Sequence, residues 1–171
     1  MAKKPSRTKQ VPERLEPPDR VTHSHAELFL SLSVALTGFD RAELQGTGLV
    51  DTYRRIVLST VGEAAFGDLL TAWHEMLHLP AKKQHGALKK LLTENPYLGP
   101  VAQNLGYLWY TGSWQQLPWG WRNAHGANAA DATRVVSKEA YVEGLVWRAM
   151  GTHPPGAKQP GFGSWAMKPE V

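Results

Sequence analysis

Glycine and proline cut this chain into pieces of helical length, and no piece alternates apolar and polar residues over a useful run, as a half-buried strand would. The first piece, A-E-L-F-L-S-L-S-V-A-L-T-G over residues 26–38, is apolar nearly all round. Leu28, Leu32 and Leu36 fall one turn apart on one face, and Phe29 and Leu30 widen the stripe, so the helix is predicted to be buried on several sides. Gly38 stops it. Asp40 with Glu43 three residues on has the spacing of a capping box, and Gly46 and Gly48 end the helix it opens. Leu49 to Val61 and Glu63 to Leu79 read as two further helices, the first with Val50, Ile56 and Val57 among its apolar positions and Arg54-Arg55 facing out. Pro80 stops the second. A short amphipathic helix over Gly86 to Thr93 ends at Asn95-Pro96. Pro100 sits in the first turn of the next helix, which runs to Tyr110 and stops at Gly112. Ser113 to Asp131 is a long tryptophan-rich loop, Ser137 caps a last helix through Met150, and Gly151 closes it. From Thr152, Pro154, Pro155 and Pro160 keep the tail extended. The expected fold class is all-α: a compact multi-helix domain with a long Trp-rich loop and an extended, wrapping C-terminal tail.

A chain of 171 residues fits one domain with a real core. The expected division is a disordered or partner-bound basic arm over residues 1–25 and a single helical domain over 26–171, of which 151–171 is tail. The net charge of +4 belongs to residues 1–10 of the arm, where Lys3, Lys4, Arg7 and Lys9 stand without an acid. The remaining 15 basic and 15 acidic residues cancel. A nucleic-acid partner is therefore not expected, because such proteins concentrate charge on a folded face. The first residues, polar and dotted with Pro5, Pro12, Pro17 and Pro18, have no apolar core of a signal peptide. No run of eighteen apolar residues predicts a direct membrane span. The absence of cysteine excludes disulfides, thiolate metal sites and cysteine nucleophiles.

His74, Glu75 and His78 form H-E-x-x-H inside a predicted helix. That spacing puts two imidazoles on one face, within reach of one zinc, with a glutamate to activate its water. A small zinc hydrolase is therefore one alternative reading. Against it, a catalytic zinc wants a third ligand. Six residues past the second histidine stands Gln84, the midway position is Ala81 where a glycine belongs, and His85 lies one step too far. Glu94, the only nearby carboxylate, sits at a helix end, and Pro80 cuts the motif's helix short. The expected metal site is none.

Six of the seven tryptophans fall between Trp109 and Trp165. Such a cluster can stack on sugars, anchor a protein interface or fill a core. Trp114, Trp119 and Trp121, on a loop of this length, read as interface anchors, and Trp73 and Trp147 as core. A helical sugar- or peptide-binding module is a second alternative.

Four segments, in order, carry a resemblance. They are F-L-S-L-S-V-A-L-T-G from Phe29 to Gly38, then Trp109-Tyr110-Thr111-Gly112, then Glu139-Ala140 before Tyr141. The last is Pro160-Gly161-Phe162 followed, after Gly163-Ser164, by Trp165-Ala166-Met167-Lys168-Pro169. Together they resemble the small (gamma) subunit of the FAD-dependent sugar and sugar-alcohol dehydrogenase complexes, of the sorbitol, fructose, glucose and glucoside 3-dehydrogenase type. The resemblance implies a chain with no catalytic residue and no cofactor of its own. A large subunit of the glucose–methanol–choline type would hold FAD and take a hydride from the sugar, and a cytochrome c subunit or another acceptor would take the electrons. The small subunit would bind and stabilise the large one and assist its maturation or export. Trp109, Tyr110, Trp114, Trp119, Trp121, Pro160, Gly161, Phe162, Trp165, Lys168 and Pro169 are the expected partner interface. The chain departs from the family in three ways: Arg54-Arg55 stands only inside a helix where a twin-arginine leader is usual, the closing motif carries a two-residue insertion, and its tail has no cysteine. The expected location is cytoplasmic, with periplasmic export on a signal-bearing partner as the alternative.

Overall fold

The computed structural model describes residues 24–126 and 128–157, and every absence noted below concerns those residues. The arm up to residue 23 and the closing motif from Pro160 to Pro169 lie outside them. The described chain is mostly helical, as the glycine and proline punctuation predicts. Its order is α1 (His25–Thr37), α2 (Arg41–Gly46), α3 (Val50–Leu77), α4 (Ala81–Glu94), α5 (Leu98–Thr111), β1 (Ser113–Trp114), α6 (Trp119–His125), β2 (Arg134–Val135), α7 (Lys138–Val142) and α8 (Leu145–Ala149).

Local signals set the boundaries. Ser24 caps α1 by accepting from the Glu27 backbone N–H at 3.2 Å, and Gly38 ends it in the left-handed region at φ 77°. That conformation costs a residue with a Cβ and costs glycine little. Asp40 and Glu43 form the complete capping box at the start of α2. Asn95 accepts from the backbone N–H groups of Tyr97 at 3.0 Å and Leu98 at 2.8 Å, which fills otherwise unpaired donors at the start of α5.

α1, α3 and α5 each pack on the other two, α4 packs on α5 and α3, and α7 and α8 pack on α5. Phe29, Tyr53, Val57, Leu105 and Leu108 are fully buried there. Each such large apolar side chain stabilises the fold by roughly 1.5–3 kcal/mol relative to exposure. α1 carries two buried hydroxyls in this apolar setting. Ser33 and Thr37 each donate to the carbonyl one turn back, at 2.8 Å, so neither is left unpaired.

α3 is broken at Gly62, whose backbone is non-helical (φ 83°, ψ 166°), where the sequence divides one helix at Val61 from the next at Glu63. By length and composition alone α3 is the one described helix that could cross a membrane, with a mean hydropathy of 1.2 over its most apolar window. Its buried Tyr53, Val57, Phe66 and Leu69 are core residues, and its rod is interrupted at mid-length.

Two expectations are corrected. The segment after Ser113 is not irregular throughout. Ser113 and Trp114 pair antiparallel with Val135 and Arg134, and a helical turn and more runs from Trp119 to His125. The last helix is not one rod from Ser137 to Met150 but α7 and α8, separated at Gly144. A Cβ on Gly144 would sit 2.8 Å from the Tyr110 carbonyl oxygen, so the chain presses backbone to backbone against the end of α5 there.

Candidate functional site

Three of the segments that carry the resemblance meet at one place, the C-terminal end of α5. Gly38 lets the chain leave α1 so that Thr37 presents its carbonyl to α5, and the Tyr110 hydroxyl donates to it at 2.8 Å. The Phe39 ring meets the Tyr110 ring edge-on, with centroids 6.2 Å apart. Two residues on, Gly112 ends α5 at φ 67°. A Cβ there would overlap the Ala140 carbonyl. The Gly112 carbonyl accepts from the Val136 N–H at 3.0 Å, and Ser137 caps α7 by accepting from the Ala140 N–H at 3.0 Å. The helix T-G, the W-Y-x-G and the Glu-Ala pair are thus one packed junction. Its Trp109 is 1% exposed and meets Tyr53 edge-on, with ring centroids 4.7 Å apart.

Burial pushes the Tyr53 phenol well above its ordinary range, and the negative charge of Glu143 adds to the shift. Its hydroxyl and the Trp109 indole nitrogen are buried without a hydrogen-bond partner among the described residues. Glu139, in the first turn of α7, is held below the usual carboxylate range. The largest cause is a hydrogen bond from its own backbone N–H, followed by one from the Ser137 hydroxyl.

The tryptophan segment is organised differently, around Asp131, which is 3% exposed. Its Oδ1 accepts from Trp114 Nε1 at 2.9 Å and from the Leu117 backbone N–H at 3.0 Å. Arg122 Nε lies 3.2 Å from its Oδ2, a contact of charges that lacks the alignment of a hydrogen bond. Farther along, Trp121 Nε1 donates to the Tyr97 carbonyl at 2.7 Å, and its ring stacks on that of Tyr97 at a 13° interplanar angle. The segment is tied back to α3 by Asn128, whose Nδ2 donates to the Ser59 carbonyl at 2.7 Å.

The residues of the expected interface are placed unlike one another. Trp109, Trp114 and Trp121 are buried: each is wrapped by the fold, and the indole N–H groups of Trp114 and Trp121 are spent inside it. Tyr110 is half-buried, and its hydroxyl is spent on Thr37. Trp119 alone among the described interface candidates stands out, at 76% exposure. Pro160, Gly161, Phe162, Trp165, Lys168 and Pro169 lie outside the described residues. Trp73, expected in the core, is buried, with Nε1 3.1 Å from Ser31 Oγ. Trp147 is half-buried, and its Nε1 donates to the Tyr141 carbonyl.

The H-E-x-x-H residues end α3. The His74 and His78 rings meet at right angles with centroids 4.7 Å apart, and His78 Nδ1 is 2.9 Å from the His74 carbonyl oxygen of its own helix. Among the described residues no cluster of three or more His, Asp or Glu could hold a metal. The polar residues that sequence reasoning missed are Asp131 and Asn104. Asn104 is a buried amide in an apolar helix, a signal visible in the sequence. Asp131 gives none, because what it binds lies 14 and 17 residues earlier in an aperiodic segment.

Comparison with family models, with curated proteins and with solved structures finds no match for this chain.

Proposed function

We propose that this chain is the non-catalytic small subunit of an FAD-dependent sugar or sugar-alcohol dehydrogenase complex, binding and stabilising a large flavoprotein. The observation that supports the reading is the junction. Residues from three of the four resembling segments, spread from Thr37 to Ala140, touch one another through Tyr110 and Gly112. Their shared task is to fix the ends of α1, α5 and α7, which makes them scaffold and not reactive groups. FAD and the hydride transfer would belong to the large subunit. This chain's residues would supply contact area: Trp119 from the segment after β1, and Phe162 and Trp165 from the C-terminal tail, which lie outside the described residues.

The test is co-expression with a glucose–methanol–choline-type flavoprotein encoded beside it, purification on this chain, and the visible spectrum of the eluate. The expected result is a stoichiometric large partner with flavin absorption. A colourless, solitary chain would overturn the reading. Truncation after Gly151 is expected to abolish the complex, and an intact complex with the truncated chain would remove the tail from the interface.

A further inference from the structure

We propose that the outer face of α4 is a docking site for an acidic segment of a partner protein, which crosses the helix at Gly86 with its carboxylates against Lys82, Lys83, Lys89 and Lys90. Helical geometry sets the face. Lys82 and Lys89, and likewise Lys83 and Lys90, stand two turns apart, about 10.5 Å along the axis. At about 100° per residue, Gly86 falls midway between the two columns. Leu88 and Leu91 lie on the opposite side and are buried, which turns the lysines outward. All four lysines and Gly86 are exposed.

Three local choices on this face work against the helix. α4 has no acid in its first turn, where Lys82 and Lys83 stand at the positive end of the helix dipole. From Met76 to Thr93 the chain carries these four lysines and no acid, and none of the four forms an ion pair among the described residues. The third is Gly86. Glycine weakens a helix interior relative to alanine. A Cβ at Gly86 would meet nothing within 4 Å, and its φ is not positive, so neither packing nor backbone asks for glycine there. Gly99 is the contrast: a Cβ on it would stand 2.8 Å from the Leu91 carbonyl oxygen. Local rules broken together, with no gain to the fold, mark a place that serves something else.

The lysines fix the sign of the ligand, and Gly86 fixes its shape. A glycine between charged columns lets another backbone come close. A flat anionic membrane would be held off by the lysine stems and gain nothing from that gap, and α4 exposes no large apolar side chain to insert into it. A nucleic-acid strand would find no arginine and no Phe, Tyr or Trp in α4 on which to stack its bases. A protein segment crossing α4 lays its main chain over Gly86, and acidic side chains on its two flanks meet the lysine pairs on either side. A helix is about 10–12 Å across, which brings its flanks to pairs about 10.5 Å apart. Exposed ion pairs are weak singly and screened by salt, so the contact needs several at once. The face stands apart from the flavoprotein reading, because any protein with such a segment would serve.

The test is titration of the ¹⁵N-labelled full chain at low salt with end-blocked decaglutamate and, separately, with a thymidine oligonucleotide and with phosphatidylserine vesicles, following the Gly86 amide signal. The expected result is a saturable shift with decaglutamate, tighter than the response to either other probe and lost as salt is raised. Lys82→Gln combined with Lys89→Gln should weaken the binding roughly fivefold or more. Gly86→Leu separates a docking role from a structural one. Leucine is the better helix former and has open space there, so the melting temperature should rise by about 2–4 °C. The same side chain blocks the crossing, so binding read from the Ala87 amide should weaken roughly tenfold. Decaglutamate captured by the basic residues 1–10 alone would leave the Gly86 signal unmoved. An unmoved Gly86 signal, tighter binding of the oligonucleotide or the vesicles, or unchanged affinity in Gly86→Leu would each overturn the proposal.

Discussion

The junction at the end of α5 and the segment that follows it both join residues distant in sequence, by opposite means. At the junction the chain comes together backbone against backbone, through glycines with no room for a side chain. In the tryptophan segment it comes together around one buried carboxylate that holds an indole and a backbone N–H. The first is tight because there is nothing to remove. The second is tight only while a single group stays in place. Lost space should therefore damage the junction most, and lost polarity the segment.

The largest effect is expected from Gly112→Ala. The substitution asks alanine to adopt φ 67° and drives its Cβ into the Ala140 carbonyl, so α7 must move. Left-handed backbone costs about 1–2 kcal/mol and the overlap adds more, for a total near ~4 kcal/mol. Gly38→Ala separates the two contributions, because it has the same sign of φ, at 77°, with nothing within 4 Å of the new Cβ. Thermal melts of the two variants should differ by the overlap alone. Equal melting temperatures would mean that α7 is not pressed on α5.

Asp131→Ala comes next. It leaves Trp114 Nε1 and the Leu117 N–H buried and unpaired and leaves Arg122 without its counter-charge. Removing one member of such a buried set costs about 3 kcal/mol. The loss should be confined to the segment, so tryptophan fluorescence should shift to longer wavelength while helical circular dichroism is kept. Asp131→Asn, which retains an acceptor, should lie between the variant and the parent. A parent-like spectrum for Asp131→Ala would show that the aromatic packing holds without the carboxylate.

The same contrast decides what was legible in the sequence. Stops and caps are local chemistry, and Gly38, the Asp40–Glu43 box, Asn95-Pro96, Gly112 and Ser137 all act where they stand. The break at Gly62 also lies where the helices divide in the sequence. What could not be read is the part that depends on a distant partner. Trp114 and Trp119 are alike on the page, five positions apart in one aromatic run, yet one is 0% and the other 76% exposed. The difference is made by Asp131, which gives the first indole a buried acceptor. Gly144, likewise, splits the last helix because the Tyr110 carbonyl needs that space. No pattern within residues 137–150 announces it.

A smaller effect, of opposite sign at neutral pH, is expected from Tyr53→Phe. The hydroxyl is buried and unpaired, so its removal should leave stability unchanged or raise it by up to ~1 kcal/mol. Its pKa in the folded chain is raised, chiefly by burial and further by Glu143, above the ordinary 10.0. Below pH 10.0 the phenol is neutral in both states and its contribution is fully present. As pH climbs past that value the unfolded chain releases a proton that the folded chain retains, and stability falls until the folded phenol ionises too. Tyr53→Phe should therefore flatten the alkaline limb of urea-unfolding midpoints plotted against pH. An unchanged limb would place the titration on another group.

The smallest effect on stability is expected at the residue with the largest expected effect on binding. Trp119 has no hydrogen bond to lose among the described residues and little packing, so Trp119→Ala should move the unfolding free energy by no more than ~0.5 kcal/mol. The same deletion at Trp114 would open a cavity in the core and cost about 3–5 kcal/mol. A tryptophan this exposed contributes little to the fold that a smaller side chain would not. If the purified complex survives Trp119→Ala at full occupancy, the contact surface lies elsewhere. If the isolated variant keeps its melting temperature while the complex is lost, Trp119 works for the partner, and the two halves of the tryptophan segment divide into one that holds the fold and one that faces out of it.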